Sequence, residues 1–283
     1  MHDLFSAPPT HAGGSRIHVG IGGWTYAPWR SGVFYPEKLV QRRELEYASR
    51  QLTAIEINGT YYGAQKPDTY ARWREQTPPG FVFTAKAPKR IMASRHLAGT
   101  GPQVEDFVGG IASLGDRLGA ILWQFDRGQS PSLDALAGFA ALLPRQAGGR
   151  PLRHALELRD ADLFTPELLA LLRGHNIALV NAASDEHPSF GDLTADFSYA
   201  RIMQARAGLP RGYPDAELDA WAARARRWSE GGDPADLAHV GPVQEVGAAR
   251  EVFVFFIAAA KERNPAAAMA LLQRLDRHAH PPR

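Results

Sequence analysis

From Arg16 onward the chain alternates short runs of β-branched and aromatic residues with longer Ala/Leu/Arg-rich stretches of helical period. The apolar runs fall at Ile17–Ile21, Ala54–Asn58, Phe81–Lys86, Ala120–Gln124, Arg153–Leu158, Ile177–Asn181, Phe197–Arg201 and Val252–Ile257, and each has the length of a strand. Between them, helical spacing predicts Pro36–Gln51, Pro67–Gln76, Val104–Leu114, Leu133–Leu143, Thr165–Arg173, Asp215–Trp228 and Pro265–His278. Proline stands near several of these starts (Pro36, Pro67, Pro131, Pro166, Pro265), where a first turn does not need its missing N–H. Eight strands over this length make one repeat per roughly 33 residues, the size of a βα unit. The pattern predicts a single α/β domain over residues 16–283, a (β/α)8 TIM-barrel-like fold rather than a doubly wound sheet.

Three places interrupt the repeat. Pro188–Thr194, between the sixth and seventh runs, reads as a loop where a helix is due. The Gly/Pro-punctuated insertion Ser229–Arg250 is either a lid or a surface excursion. Asn58-Gly59 carries the signal of a type I′ hairpin, which would break the barrel count. Met1–Ser15, rich in Pro, Gly and Ser, reads as a flexible leader.

Composition narrows the class. In 283 residues, 32 Lys+Arg against 30 Asp+Glu leave a formal charge of +2, so no global field recruits nucleic acid or a membrane surface. No cysteine is present, which excludes disulfides, a thiolate nucleophile and cysteine-bound metal centres. The longest apolar run, Val252–Ala260, is far short of the ~20 residues a membrane helix needs. A soluble, cytoplasmic protein is expected.

In a barrel of this type, chemistry sits at the C-terminal ends of the strands. Four runs end with polar or aromatic residues at i and i+2, on one face: Glu56 and Asn58, Thr84 and Lys86, Glu157 and Arg159, Tyr199 and Arg201. Charges on the outer face would be buried under helices, so the barrel mouth is the cheaper place. Gln124 ends the fourth run, Asn181 and Asp185 follow the sixth, and Gly22-Gly23 leads into Trp24 and Tyr26, with Tyr61 and Tyr62 nearby. Glu157–Arg159 and Glu56–Lys86 also make sense as ion pairs holding the barrel top. No Walker loop, HExxH, GxSxG or complete dinucleotide fingerprint occurs, and the ten histidines are scattered, so no metal and no cofactor is expected. Only His187 lies near the predicted mouth. His154 starts the fifth run, at the opposite end.

At these residues the chain resembles the family called domain of unknown function 72, the YecE-like family. The resemblance rests on GGWTYAPWRSGVFYPE at Gly22–Glu37, the stretch Ile55–Lys86, LGDRLGAILWQF at Leu114–Phe125, ALELRDADLF at Ala155–Phe164 and TADFSYARI at Thr194–Ile202. It implies a TIM-barrel-like fold. Positions characteristic of that family recur here as Trp24, Tyr26, Trp29, Phe34, Tyr35, Glu56, Asn58, Trp73, Lys86, Gln124, Glu157, Arg159, Asp185 and Arg201. Three stretches depart: Met92-Ala93 stands where the family often has Thr-His, Met203-Gln204 where it often has His-Gly, and Ala258–Arg263 where it often has Asn-Asn-Asp. Lys261 is a candidate substitute in the last.

The expectation is an acid–base, hydrolase-like enzyme for an anionic, phosphorylated or sugar-like small substrate. Glu56 or Glu157 would move the proton, and Glu56 would be the donor if its surroundings are apolar. Lys86, Arg159 and Arg201 would bind the anion, with Trp24, Tyr26, Asn58, Gln124, Asp185 and Lys261 completing the substrate site. The alternative, less favoured, is a nucleic-acid-binding barrel that stacks bases on Trp24, Tyr26, Trp29, Tyr35, Tyr61 and Tyr62 and tracks phosphates with Lys86, Lys89, Arg90 and Arg95.

Overall fold

The computed structural model describes residues 16–244 and 247–279, and the leader expected at Met1–Ser15 lies outside the described residues. Eight parallel strands close into one barrel: β1 (Ile17–Gly22), β2 (Ala54–Ile57), β3 (Val82–Lys86), β4 (Leu118–Gln124), β5 (His154–Glu157), β6 (Ile177–Ala183), β7 (Phe197–Ile202) and β8 (Glu251–Phe256). Strands follow one another around the barrel in chain order, and β8 closes it against β1 with Val254 opposite Val19. All eight apolar runs are therefore strands of one (β/α)8 TIM-barrel-like sheet.

Helices surround the sheet: α1 (Glu44–Gln51), α2 (Pro67–Gln76), α3 (Lys89–Met92), α4 (Gly101–Ile111), α5 (Leu133–Leu142), α6 (Pro166–His175), α7 (Asp215–Ser229) and α8 (Asn264–Ala279). Their ends follow local chemistry. Ser132 and Thr165 cap α5 and α6 by accepting the amide hydrogens of Ala135 and Leu168, both at 3.2 Å. The helix expected from Pro36 begins only at Glu44, after a 3₁₀ turn at Gln41–Arg43, because Lys38 sits at φ 65°, a left-handed conformation that no helix continues through. Asn58-Gly59 leads into a 3₁₀ turn, not a hairpin, and β2 runs parallel to β3. The hairpin is at Gln146–Ala147 and Arg150–Pro151, where Gly148 and Gly149 both have positive φ.

Alternation along each strand sorts side chains into two cores. Ile21, Ile55, Phe83, Trp123, Leu156 and Val254 face the helices, whereas Ala54, Ala120, Ala155, Tyr199, Phe253 and Phe255 fill the barrel. The filling is lopsided. Rings from β7 and β8 occupy space that small residues on the other strands leave open. At Gly119, where β4 shifts register against β3, a Cβ would lie 2.7 Å from Phe253 Cε1.

No helix joins β6 to β7. The insertion after α7 covers that flank: Asp192 accepts the amide hydrogens of Val240 (2.8 Å) and Gly241 (2.9 Å), Gly191 N–H donates to Ala238 O, and Leu237 and Val240 pack on the apolar core. It is a strap replacing a missing helix, not a lid, and its described residues line neither cavity at the mouth. Among the described residues, no helix is long and apolar enough to cross a membrane.

Candidate functional site

The i and i+2 pairs point into the barrel and separate into two levels. The lower level is a buried charged layer. Arg201 on β7 grips Glu56 on β2 side-on, with Nε to Oε2 at 3.1 Å and Nη2 to Oε1 at 3.0 Å. Its Nη1 donates to Gln124 Oε1 at 3.0 Å and to Glu157 Oε2. Glu157 Oε1 accepts from Arg159 Nε at 2.9 Å. Tyr199 donates its hydroxyl hydrogen to Glu56 Oε2 (2.8 Å), so Thr84 is the donor in the 2.7 Å bond between its hydroxyl and that of Tyr199. Both glutamates are 0% exposed and Arg201 5%. Burial works to raise the Glu157 carboxyl, but the guanidinium groups of Arg201 and Arg159 outweigh it and hold it below the usual carboxylate range. Arg201 is held firmly protonated: burial opposes its charge, but Glu157 and Glu56 more than offset that.

The upper level is the open mouth, a cavity of about 450 Å³ lined by Gly22, Asn58, Tyr61, Lys86, Asp126, Arg159 and Lys261 among others. Gly22 has no room for a side chain, since a Cβ would lie 2.6 Å from Asn58 Nδ2. Asp126 is the hub of this level. It accepts from the Tyr61 hydroxyl at 2.7 Å and from Gln124 Nε2, and lies 3.5 Å from Arg159 Nη1. Burial would raise its carboxyl, but the Tyr61 and Gln124 hydrogen bonds and the Lys86 and Arg159 charges hold it low. Tyr61 is pushed up to about 12 by burial and by that hydrogen bond, and stays protonated.

Two lysines complete the mouth. Lys86 Nζ lies 3.8 Å from the centre of the Tyr61 ring, and Lys261 Nζ lies over the rings of Tyr26 (4.7 Å) and Trp29 (5.4 Å). Among the described residues neither has a carboxylate within 4 Å. Burial and the Arg201 charge bring Lys86 down to about 8, against the pull of Glu56, Glu157 and Asp126. Burial also lowers Lys261.

The structure corrects several expectations. Glu56 is not in apolar surroundings: both its oxygens are engaged, and its partner is Arg201, not Lys86. Glu157 is equally sealed, and neither glutamate lines the mouth cavity. Trp24 turns away, because Gly23 at φ 71° directs the chain outward, and packs on Trp73 (4.8 Å) and Phe83 (6.1 Å) in the helix layer. Tyr26 supports Lys261 without lining the cavity. Asp185 is exposed in a neighbouring lobe of about 410 Å³, bonded to Gln204, with His187 beside it. Asn181 faces outward and fastens the following loop at Ser189 and Phe190. Asp126, which the sequence reading passed over, stands two residues beyond Gln124, within reach of the same i, i+2 rule.

A cavity of about 520 Å³ opens at the opposite end of the barrel, against His154, Arg153 and His175. His154 is engaged: its Nδ1 accepts from Trp123 Nε1 at 3.0 Å and its Nε2 faces Pro144 O at 2.8 Å, a pairing that fixes the Nε2–H tautomer. Among the described residues, no three His, Asp or Glu side chains come together to hold a metal.

Comparison with known proteins agrees with the fold. The chain is 30% identical over 150 residues to the UPF0759 protein YecE of Escherichia coli, an alignment covering 52% of this chain and 50% of that protein. The chain thus spans about half the length of the curated relatives it matches. A DUF72 family protein of Thermotoga maritima superposes with a TM-score of 0.70 at 23% identity, covering 92% of this chain and 99% of the other. One from Enterococcus faecalis gives 0.66 at 19%, covering 92% and 95%. At those identities the likeness bears on the fold alone. The model of the family described as "Protein of unknown function DUF72" matches residues 18–283, and the chain belongs to that YecE-like family.

Proposed function

We propose that the mouth is the active site of an enzyme that takes a small anionic substrate and moves protons with the barrel's own side chains. The observation that carries this reading is the distribution of counter-charges. The two buried glutamates are already saturated by Arg201, while Lys86 and Lys261 face the cavity with no carboxylate within 4 Å among the described residues. Four cations (Lys86, Arg159, Arg201, Lys261) against three carboxylates (Glu56, Glu157, Asp126) leave a surplus suited to a singly charged group. Arg159, whose Nε and Nη1 already face Glu157 and Asp126, turns its remaining Nη2 donor to that group. Lys86, brought to about 8, is placed to give and take protons near neutrality. The proton-transfer role thus falls to Lys86, and Glu56 and Glu157 fix Arg201 in place.

Thermal unfolding in the presence of inorganic phosphate tests the reading. Phosphate is expected to raise the melting temperature of the wild type, and the rise is expected to vanish in Arg159→Ala and Lys86→Met. An unchanged melting temperature in the wild type would overturn it.

One observation favours a nucleic-acid ligand: Tyr62, at the cavity rim beside Tyr61, is 90% exposed and free to stack on a base. Binding of a single-stranded oligonucleotide that weakens steeply with salt would support that alternative. The near-neutral charge balance of the mouth speaks against it.

A further inference from the structure

The chain contains five lysines (Lys38, Lys66, Lys86, Lys89, Lys261) against 27 arginines. Two of the five line the mouth. Arginine serves where a fixed positive charge is enough, because it does not lose its proton in a protein. Lysine does, and its free amine is a nucleophile toward carbonyl carbon. The placement of Lys86 suits that use. It projects from β3 into a cavity sized for a small metabolite, without an ion pair among the described residues. The charged groups around it are Arg201, Glu56 and Glu157 in the layer below and Asp126 and Arg159 in the mouth. Burial and Arg201 together outweigh the carboxylates, and a substantial fraction of the amine is unprotonated at pH 8. Lys261 is set differently. Burial lowers it too, but without the Arg201 charge that acts on Lys86, and two aromatic faces rather than one favour its ammonium form.

We propose that Lys86 is a nucleophilic amine that forms an imine with the carbonyl carbon of a small aldehyde or ketone bearing a carboxylate, with Arg159 and Lys261 holding that carboxylate. This rests on the anion-binding reading above. In the step, the Nζ lone pair bonds to the carbonyl carbon while the C=O π pair moves to oxygen, which takes up a proton. Nitrogen then loses a proton, and the C–O bond breaks as the hydroxyl leaves with a second proton as water. The nitrogen lone pair closes the C=N bond as the C–O bond breaks, giving an iminium ion and one water. The iminium then releases its N–H proton to give the imine, so nitrogen gives up the two protons that oxygen takes and no oxidation state changes. Solvent entering the open mouth carries these protons, because Lys86 Nζ meets the face of the Tyr61 ring rather than its hydroxyl.

Glyoxylate with sodium borohydride, followed by peptide mapping of the intact chain, tests the proposal. Labelling of Lys86 is expected to exceed that of exposed Lys38, Lys66 and Lys89 by roughly tenfold or more at neutral pH, where an ordinary lysine has far less free amine. Lys86→Arg should remove the mouth label and leave the others unchanged. Label spread over the exposed lysines, or on Lys261 with Lys86 spared, overturns the proposal. Propanal, an uncharged aldehyde, separates the two readings. If it labels Lys86 as fast as glyoxylate does and phosphate gives no protection, the imine chemistry stands and the anion reading falls. If phosphate stabilises the protein but neither aldehyde labels Lys86, the anion site stands and the imine falls.

Discussion

Replacing Arg201 by methionine tests whether the charged layer holds the barrel together. Arg201 is 5% exposed and supplies hydrogen bonds to Glu56, Gln124 and Glu157, so its loss leaves carboxylates buried without their main counter-charge. Breaking a buried ion pair from one side costs about 3–5 kcal/mol. Two carboxylates share this partner, but Glu157 keeps Arg159, so the penalty falls chiefly on Glu56, which retains only the Tyr199 hydroxyl. A loss of about 3–5 kcal/mol is a large part of the ~5–15 kcal/mol that stabilises a typical domain. Urea unfolding near neutral pH measures it.

The pH dependence gives a second check. Glu157 is held low in the wild type. Its stabilisation is therefore complete above the ordinary glutamate range and is lost as pH falls through its depressed folded value. In the variant, a carboxylate buried without its cation folds best protonated. That penalty is absent where the unfolded chain is also protonated and grows as pH rises. The gap between the two proteins should be widest at neutral pH and narrow toward about pH 4. Combining Arg201→Met with Glu56→Gln and Glu157→Gln should recover much of the loss. A variant within about 1 kcal/mol of wild type at neutral pH, or a gap that ignores pH, would refute the structural role.

Arg159→Ala should cost only about 1–2 kcal/mol in the same assay, because Glu157 keeps Arg201, while abolishing the phosphate response. His154, brought down to about 4 by burial, favours its neutral form in the fold, so its contribution is complete above about pH 6.5 and is lost as pH falls toward 4. His154→Gln, which also accepts from Trp123 and donates to Pro144, should flatten up to about 3 kcal/mol of that dependence, read from melting curves against pH. Ala258 and Ala259, at φ 53° and 41°, hold left-handed conformations after β8, where alanine is strained. Ala258→Asn should stabilise by about 0.5–1 kcal/mol, since asparagine tolerates this region, and a lower melting temperature would refute the strain argument.

The strands were legible because each needs two apolar faces, one for the helices and one for the barrel. The i, i+2 rule then selected Glu56, Lys86, Glu157, Arg159 and Arg201, whose side chains the barrel brings together. Depth was not legible. Glu56 stands opposite Gly22, Gln124 opposite Glu157 and Arg201 opposite Ala182, and this stagger between strands decides which end residues are sealed and which are wet. Partnership was hidden for the same reason. Lys86 is close to Glu56 in the chain, but Arg201, 145 positions away, reaches it with a fork that an ammonium does not offer. The start of α1 was misplaced because nothing in the residue type of Lys38 announces a positive φ.

The buried layer and the mouth are electrostatically one device, and this yields a further prediction. Arg201 lowers Lys86, whereas Glu56 and Glu157 raise it, so the glutamates restrain an amine that burial would shift further. If they merely fastened the barrel, neutralising one would change stability and leave the amine untouched. Glu157→Gln keeps one acceptor oxygen, for Arg201 or for Arg159 but not for both, and removes one negative charge below Lys86. The titration of Lys86 should then move to lower pH, which rate-against-pH labelling of its amine by acetic anhydride measures directly. The sign is the test. A shift upward, or none in a variant that remains folded, would mean that the glutamates do not act on Lys86, and that the charge of the layer below has no part in setting its reactivity.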